Sequence, residues 1–264
     1  MEKAIFISEV KNLKYISQEY SRLYFGAEFC QNLIPSAEDL NSAMEFISKN
    51  KMDFTFVTPF LTNEGIKRIK PLLNLVTKVK PDAEIVVNDW GLLGLINREY
   101  PGLNLSLGRL LSKQKRGPQI LNLMGKVPED MIRHFRQSNV DSPVFSNFLV
   151  SKHIKRIELD NLLQGISRPL PSLKGSLYIP FAYITTTRIC LFSLRKDNAD
   201  RISRVIAPCN KECRERVFML RHKKMPADLL LKGNTQFFKN EQLPDNLDDL
   251  NIDRIVYEPE ILKS

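Results

Sequence analysis

Short apolar runs alternate with longer segments of helical spacing over the first 110 residues of the chain. Apolar residues recur every three or four positions in residues 66–79 and 90–98, which predicts two amphipathic helices. Four apolar runs beside these segments predict strands, at residues 22–25, 53–57, 84–87 and 103–107. Nearly continuous apolar strands that alternate with helices are typical of a parallel sheet covered on both faces.

The same alternation resumes in the second half of the chain. Residues 128–136 have helical spacing, residues 155–159 predict a strand, and residues 176–179 and 181–184 predict an extended region interrupted by Pro180. Residues 188–226 are irregular, and residues 229–231 and 251–257 are the segments expected to close the sheet. A chain of 264 residues suits one α/β barrel of about 250 residues. We therefore predict one (β/α) barrel-like domain with parallel strands, related to the TIM barrel, over residues 1–264.

The amino-terminal segment and the lengths of the apolar stretches predict a cytoplasmic protein. Residues 1–9 contain a short apolar stretch that an acidic residue follows at once, which is unlike a signal peptide. No stretch approaches the roughly 18 apolar residues of a membrane span. In the cytoplasm the four cysteines are not expected to form structural disulfides. They are core thiols, metal ligands or catalytic groups.

The formal net charge is +9, from 39 basic and 30 acidic residues. The excess is spread along the chain and is densest at residues 113–116 and 221–224. This balance favours an anionic partner, whether nucleic acid or a carboxylate or phosphate substrate, and the alternative is a solvated basic surface.

The cysteines have a spacing that is compatible with a metal centre. Cys209 and Cys213 form a C-x3-C pair, which places both thiols on one face if the segment is helical. Cys190 precedes this pair, and Cys30 follows the strand predicted at residues 22–25. Four thiolates suit an iron–sulfur cluster. A structural zinc site prefers two close pairs, and only one is present. The spacing alone therefore leaves three interpretations: an iron–sulfur cluster, a zinc ion, or core thiols that bind no metal.

Polar residues that follow the predicted strands are the candidates for substrate chemistry, because barrel enzymes carry their sites at the carboxyl ends of the strands. Glu28, Asp89 and Glu158 are candidate acid–base groups, and helix caps or loop hydrogen bonds are their structural alternative. Arg109 and Arg188 are candidate carboxylate clamps, with structural ion pairs as the alternative. The remaining candidates for lining the substrate site, which also suit turns, are Asn88, Asn234 and Gln236.

Sequence motifs of common hydrolases and nucleotide-binding proteins are missing. The chain has no G-x-S-x-G, H-E-x-x-H, P-loop or G-x-G-x-x-G pattern, and its three histidines are scattered. The sequence therefore offers no recognisable protease nucleophile.

Five short segments, spread over most of the chain, resemble one family in their order. They are Leu23-Tyr24-Phe25-Gly26-Ala27-Glu28-Phe29-Cys30, Asn88-Asp89-Trp90-Gly91, Ile157-Glu158-Leu159, Pro180-Phe181-Ala182-Tyr183 with Arg188-Ile189-Cys190, and Lys232-Gly233-Asn234-Thr235-Gln236. They are similar to the collagenase-like peptidase U thirty-two family, and most of all to its short, UbiV-like members.

The resemblance implies a cofactor and a class of reaction. It implies a 4Fe–4S cluster on Cys30, Cys190, Cys209 and Cys213. It also implies anaerobic, oxygen-independent hydroxylation of a ubiquinone-type or related substrate, with prephenate as the oxygen donor and a second family member as partner.

Two alternative functions follow from the same resemblance. Some relatives hydroxylate tRNA or rRNA, and the basic residues 113–116 and 221–224 would then contact phosphates. The family name suggests a peptidase, which the missing nucleophile disfavours.

Overall fold

The computed structural model describes residues 1–169, 171–190 and 209–261. In chain order its strands are β1 (Glu2–Ile7), β2 (Arg22–Gly26), β3 (Asp53–Val57), β4 (Glu84–Val87), β5 (Asn104–Leu107), β6 (Ile154–Asp160), β7 (Lys174–Ile179), β8 (Phe181–Thr186), β9 (Phe218–Leu220), β10 (Leu229–Lys232), β11 (Thr235–Lys239) and β12 (Ile252–Tyr257). Its α-helices are α1 (Ala37–Asn50), α2 (Asn63–Val79), α3 (Trp90–Glu99), α4 (Glu129–Arg136) and α5 (Pro143–Ser151).

Eight strands close into a barrel in the order β1-β12-β7-β6-β5-β4-β3-β2. Each neighbouring pair is parallel, and β12 completes the ring between β1 and β7. The predicted α/β barrel with parallel strands is therefore confirmed. The strand predicted at residues 251–257 closes it.

A second, four-stranded antiparallel sheet has the order β8-β11-β10-β9. Residues 229–231 were expected to help close the barrel, and that expectation is wrong, because they belong to β10 of this small sheet. The reason is local. Gly233 has φ +62, and the tight turn that it allows folds β11 back onto β10 as a hairpin.

The helices bury apolar stripes against the outside of the barrel. In α1 the buried residues Leu40, Ala43, Met44 and Ile47 recur at helical spacing, and a capping box between Ser36 and Asp39 fixes the first turn. The sequence interpretation had not assigned α1, α5 or β1. None of the helices in the described parts of the chain is long and apolar enough to cross a membrane.

The two faces of the barrel strands have different chemistry. Residues such as Leu23, Phe56 and Leu107 face the helices and join them in one large apolar core. Alternate residues face the barrel interior, where a small apolar cluster that includes Tyr24 and Tyr178 is interrupted by charged groups. The interior of such a barrel is usually filled by branched apolar side chains. Here ion pairs and hydrogen bonds take part of that role.

Replacement of a core leucine between barrel and helices tests this packing. Leu107 is fully buried in the apolar core, whereas Leu243 is 37% exposed. We expect Leu107→Ala to lower the free energy of unfolding by about 2–5 kcal/mol. The control Leu243→Ala should lower it by about 0.5 kcal/mol or less. Denaturant titrations of both variants measure this, and equal losses would contradict the assignment of the core.

Candidate functional site

A cavity of about 470 Å³ lies at the carboxyl ends of the barrel strands. Loops that follow β1, β2 and β12 line it, together with the turn between β10 and β11. Its polar and charged lining includes Ser8, Glu9, Glu28, Asn32, Arg68, Arg188, Lys211, Arg214, Lys232, Asn234, Thr235, Glu258 and Glu260. This is the end of the barrel at which (β/α) barrel enzymes carry their active sites.

All four cysteines of the chain line this cavity. Cys30 lies in the loop after β2, Cys190 follows β8, and Cys209 and Cys213 precede β9. Cys213 is buried, Cys30 and Cys190 are half-buried, and Cys209 is exposed. Cys209 lies outside the short 3-10 turn Glu212–Arg214 that contains Cys213, so the C-x3-C pair does not form one helical turn.

The thiols are close enough to influence one another electrostatically. Burial, with smaller contributions from the other three cysteines, raises the pKa of Cys213 to about 12. Burial likewise raises the pKa of Cys30, with contributions from Cys209 and Cys190. Such thiols keep their protons at neutral pH unless a bound cation stabilises the thiolates.

The β10–β11 turn packs directly on the buried thiol. A Cβ atom on Gly233 would lie 3.1 Å from Cys213 Cβ and 3.5 Å from its Sγ. The neighbouring Lys232 donates its ammonium to the Glu260 carbonyl at 2.5 Å. Within residues 1–169, 171–190 and 209–261, no group of three or more His, Cys, Asp or Glu side chains is arranged to hold a metal ion.

Arg109 lies in the floor beneath the cavity and is fully buried. Its Nε donates to the Glu28 carboxylate at 3.0 and 3.1 Å, and its Nη2 donates to Glu28 at 2.5 Å and to Glu258 at 3.1 Å. Its Nη1 donates to Asp160 and to the Phe181 carbonyl. All five N–H groups therefore have protein acceptors, which leaves none for the substrate carboxylate that the sequence interpretation assigned to this residue.

Aromatic rings and a second arginine complete this floor. The Arg109 guanidinium lies 3.8 Å from the ring centroid of Tyr178 and 5.3 Å from that of Phe29. Arg116 donates its Nε to Asp160 at 2.5 Å and is itself buried. Arg116, one of the basic residues in segment 113–116, is thus enclosed within the fold and is not placed to contact an RNA phosphate.

Glu158 lies inside the barrel and is not part of the described cavity lining. Ser106 donates its hydroxyl to the Glu158 carboxylate at 2.5 Å, and the Tyr24 hydroxyl lies 3.4 Å away. Burial and the nearby Glu84 raise the pKa of Glu158 to about 7. The structure therefore separates Glu158 from the cysteines, although the strand pattern had suggested a common site.

Asn88 and Asp89 hold loops in place. Asp89 caps α3 by accepting from the Leu92 amide at 3.0 Å, and it also accepts from the Leu61 amide. Asn88 donates to the Thr58 carbonyl and accepts from the Leu110 amide. Neither residue is among the described residues that line the cavity.

Arg188 and Asn234 line the cavity, whereas Gln236 does not belong to its described lining. The exposed Arg188 side chain lies over Phe60, with its guanidinium 4.9 Å from the ring centroid. Asn234 donates to the carbonyls of Phe29 and Thr187 and thereby ties the small sheet to the loop that carries Cys30.

The sequence interpretation missed Glu258, which lines the cavity directly after β12. The same rule that selected Glu28 would have found it, since Glu258 is the first residue past a predicted strand.

No family model matches the chain, and no curated protein matches it. Among solved structures, the chain is similar to a U32 peptidase at 8% identity and a TM-score of 0.48, over 98% of this chain and 92% of that one. It is also similar to a glycoside hydrolase family 18 N-acetylglucosaminidase from Paenibacillus barengoltzii, at 9% identity and a TM-score of 0.40, over 97% and 94% of the two chains. A class V chitinase from Cycas revoluta gives 9% identity and a TM-score of 0.41, again over 97% and 94%.

Removal of the Arg109 charge should destabilise the fold, because three buried carboxyl groups would lose their shared partner. We expect Arg109→Met to lower the free energy of unfolding by about 3–5 kcal/mol. The matched control is Arg98→Met, whose side chain is 70% exposed, and it should change stability by about 0.5 kcal/mol or less. Urea titration at neutral pH compares the two. A small effect of Arg109→Met would show that the network is dispensable.

Proposed function

We propose that Cys30, Cys190, Cys209 and Cys213 bind a 4Fe–4S cluster in the cavity. The observation that carries this proposal is the convergence of all four cysteines, from distant sequence positions, on one cavity at the active-site end of the barrel. The donor set fits the group, since four cysteine thiolates are the usual ligands of such a cluster. When bound, the cluster would supply a redox centre at this end of the barrel.

The charges around the cysteines support an anionic centre. The same cavity is lined by four acidic side chains and by five basic ones, which are Arg68, Arg188, Lys211, Arg214 and Lys232. They would offset the negative charge of four thiolates and the cluster that these hold. Cys209 is exposed while Cys213 is buried, so one side of the centre would face solvent and the other the barrel.

The reaction we propose is oxygen-independent hydroxylation of a ubiquinone-type or related ring, as in the UbiV-like proteins that the sequence resembles. The cavity contains aromatic side chains next to cations, with Phe29 and Phe237 in edge contact and 5.5 Å between their centroids. Aromatic walls suit a ring, and Arg188 suits the carboxylates of an oxygen donor such as prephenate. A second family member would complete the hydroxylase.

The cluster is tested by anaerobic purification of the whole chain, with a visible spectrum and counts of iron and acid-labile sulfide. We expect about four irons and four sulfides per chain. Cys209→Ala and Cys213→Ala should each lose most of the iron and the visible absorption. The control Asn32→Ala removes another side chain of the cavity lining and should keep both.

Other results of the same experiment would contradict the proposed cluster. A colourless protein that holds zinc, or one that takes up no iron during cluster reconstitution, would overturn the cluster. So would cysteine variants that fold, as judged by circular dichroism, and keep the full iron content.

The oxygen donor is tested through Arg188. We expect Arg188→Ala to weaken prephenate binding by roughly 10–100-fold, because it loses a charge-assisted contact worth about 1.5–3 kcal/mol. Anaerobic calorimetry measures this, with Arg133→Ala on α4 as the control, since Arg133 is not among the described lining residues. Unchanged binding in Arg188→Ala would contradict this role. Mass spectrometry of a quinone precursor, incubated with the protein and its partner, detects hydroxylation itself.

A further inference from the structure

The buried network beneath the cavity has more carboxylates than cations. Glu28, Asp160 and Glu258 surround Arg109, and Arg116 adds the second positive charge. Three ionised carboxylates against two guanidinium groups would leave one buried negative charge that no guanidinium neutralises. Such a charge is costly in a dry interior, so one carboxyl group of the three is expected to carry a proton.

The hydrogen bonds indicate which carboxyl group carries it. Glu28 is bound by two nitrogens of Arg109, and Asp160 accepts from Arg109, Arg116 and the Tyr183 amide. Glu258 accepts a single hydrogen bond from Arg109, and among the described residues no other side chain donates to it. Ionisation of Glu258 is therefore the least compensated of the three.

Glu258 also faces the cavity. It is one of two members of the network that line the cavity, and the other, Glu28, has both oxygens bound to Arg109. Glu258 Oε2 accepts from Arg109, which leaves Oε1 for a bound molecule. We propose that Glu258 is the acid–base residue of the cavity and exchanges a proton with an oxygen atom of the bound substrate.

The proton transfer needs no further reactant. The O–H bond of the Glu258 carboxyl breaks, an O–H bond forms on the ligand oxygen, and Glu258 becomes a carboxylate. Arg109 already donates to that carboxyl and stabilises the new charge. The reverse transfer restores the starting state. This inference rests on the cavity being the substrate site of the proposed function, but not on the cluster.

The electrostatic surroundings agree with this geometry. The charged groups that face Glu258 are Arg109 after β5, Glu28 after β2, Asp160 on β6 and Lys232 on β10. Burial is the largest influence and raises the pKa of Glu258 to about 8, and Glu28 and Asp160 act in the same direction against Arg109. A carboxyl group with such a pKa can both donate and accept a proton near neutral pH.

The sign of the pH dependence follows from that shift. The folded protein keeps a proton on Glu258 that the unfolded chain releases above its usual pKa of 4.5. The resulting stabilisation is complete below pH 4.5 and is lost as the pH rises through about 8. Glu258→Gln should therefore remove part of the fall in unfolding free energy over this range.

The direct test is infrared spectroscopy of the full chain labelled with 13C-glutamate, purified without oxygen, between pH 6 and 9. We expect a band of protonated glutamic acid from Glu258 beside those of other buried glutamates, because burial also raises the pKa of Glu28 and raises that of Glu158 to about 7. One band should be half lost near pH 8 and absent from Glu258→Gln. The matched control Glu158→Gln, at a site that is likewise buried, should keep that band and lose its own.

Deuterium exchange separates an acid–base residue from a merely structural carboxyl group. After transfer to D2O, the Glu258 band should shift well before the Glu158 band, since Glu258 lines the cavity and Glu158 is enclosed in the barrel. A wild-type spectrum without a glutamic acid that titrates near pH 8 would overturn the proposal even if the variants fail to fold. So would exchange of Glu258 no faster than that of Glu158. Iron counts on the same samples report the cluster independently.

Discussion

The arrangement of the cavity depends on the buried guanidinium of Arg109. It joins the ends of four barrel strands, because its partners Glu28, Asp160 and Glu258 belong to β2, β6 and β12 or to the residues that follow them, while Arg109 itself follows β5. Buried ion pairs of this kind add little net stability but strongly disfavour arrangements that leave a charge unpaired. We infer that the network chiefly fixes the relative positions of these four segments.

Charged groups also close the opposite end of the barrel. Near the amino ends of the strands, Arg254 pairs with Glu2 and Glu84, and Arg22 pairs with Glu2. The residues there satisfy one another, and in barrels of this class that end serves stability. The network around Arg109 differs in one respect, since Glu28 and Glu258 border an open cavity. Buried ion pairs of the same kind can therefore stabilise the fold at one end of the barrel and border a substrate site at the other.

The barrel could be predicted because the apolar spacing that marks a strand or a helix is visible within a short stretch of sequence. The ion pairs were not predictable, since Arg109 binds partners that are 51, 81 and 149 residues away. The strand β6 shows the limit most clearly. The two-residue alternation along β6 puts the charged side chains of Arg156, Glu158 and Asp160 on one face of the strand. These three side chains nevertheless lie at different heights along the barrel. Only Asp160, the last of them, reaches the floor of the cavity, whereas Glu158 stays in the interior.

The cysteines were predicted as a set for a different reason, because the resemblance to one family assigns all four of them to one cluster. Their positions in the fold were not predictable, since Cys30 belongs to a barrel loop and Cys213 lies just before β9 of the small sheet. Asn234 already connects these parts through the Phe29 carbonyl. A cluster on all four cysteines would connect them covalently, and its binding energy would become part of the folding energy of the small sheet. On this argument the side of the cavity formed by the small sheet would be ordered together with the proposed cluster.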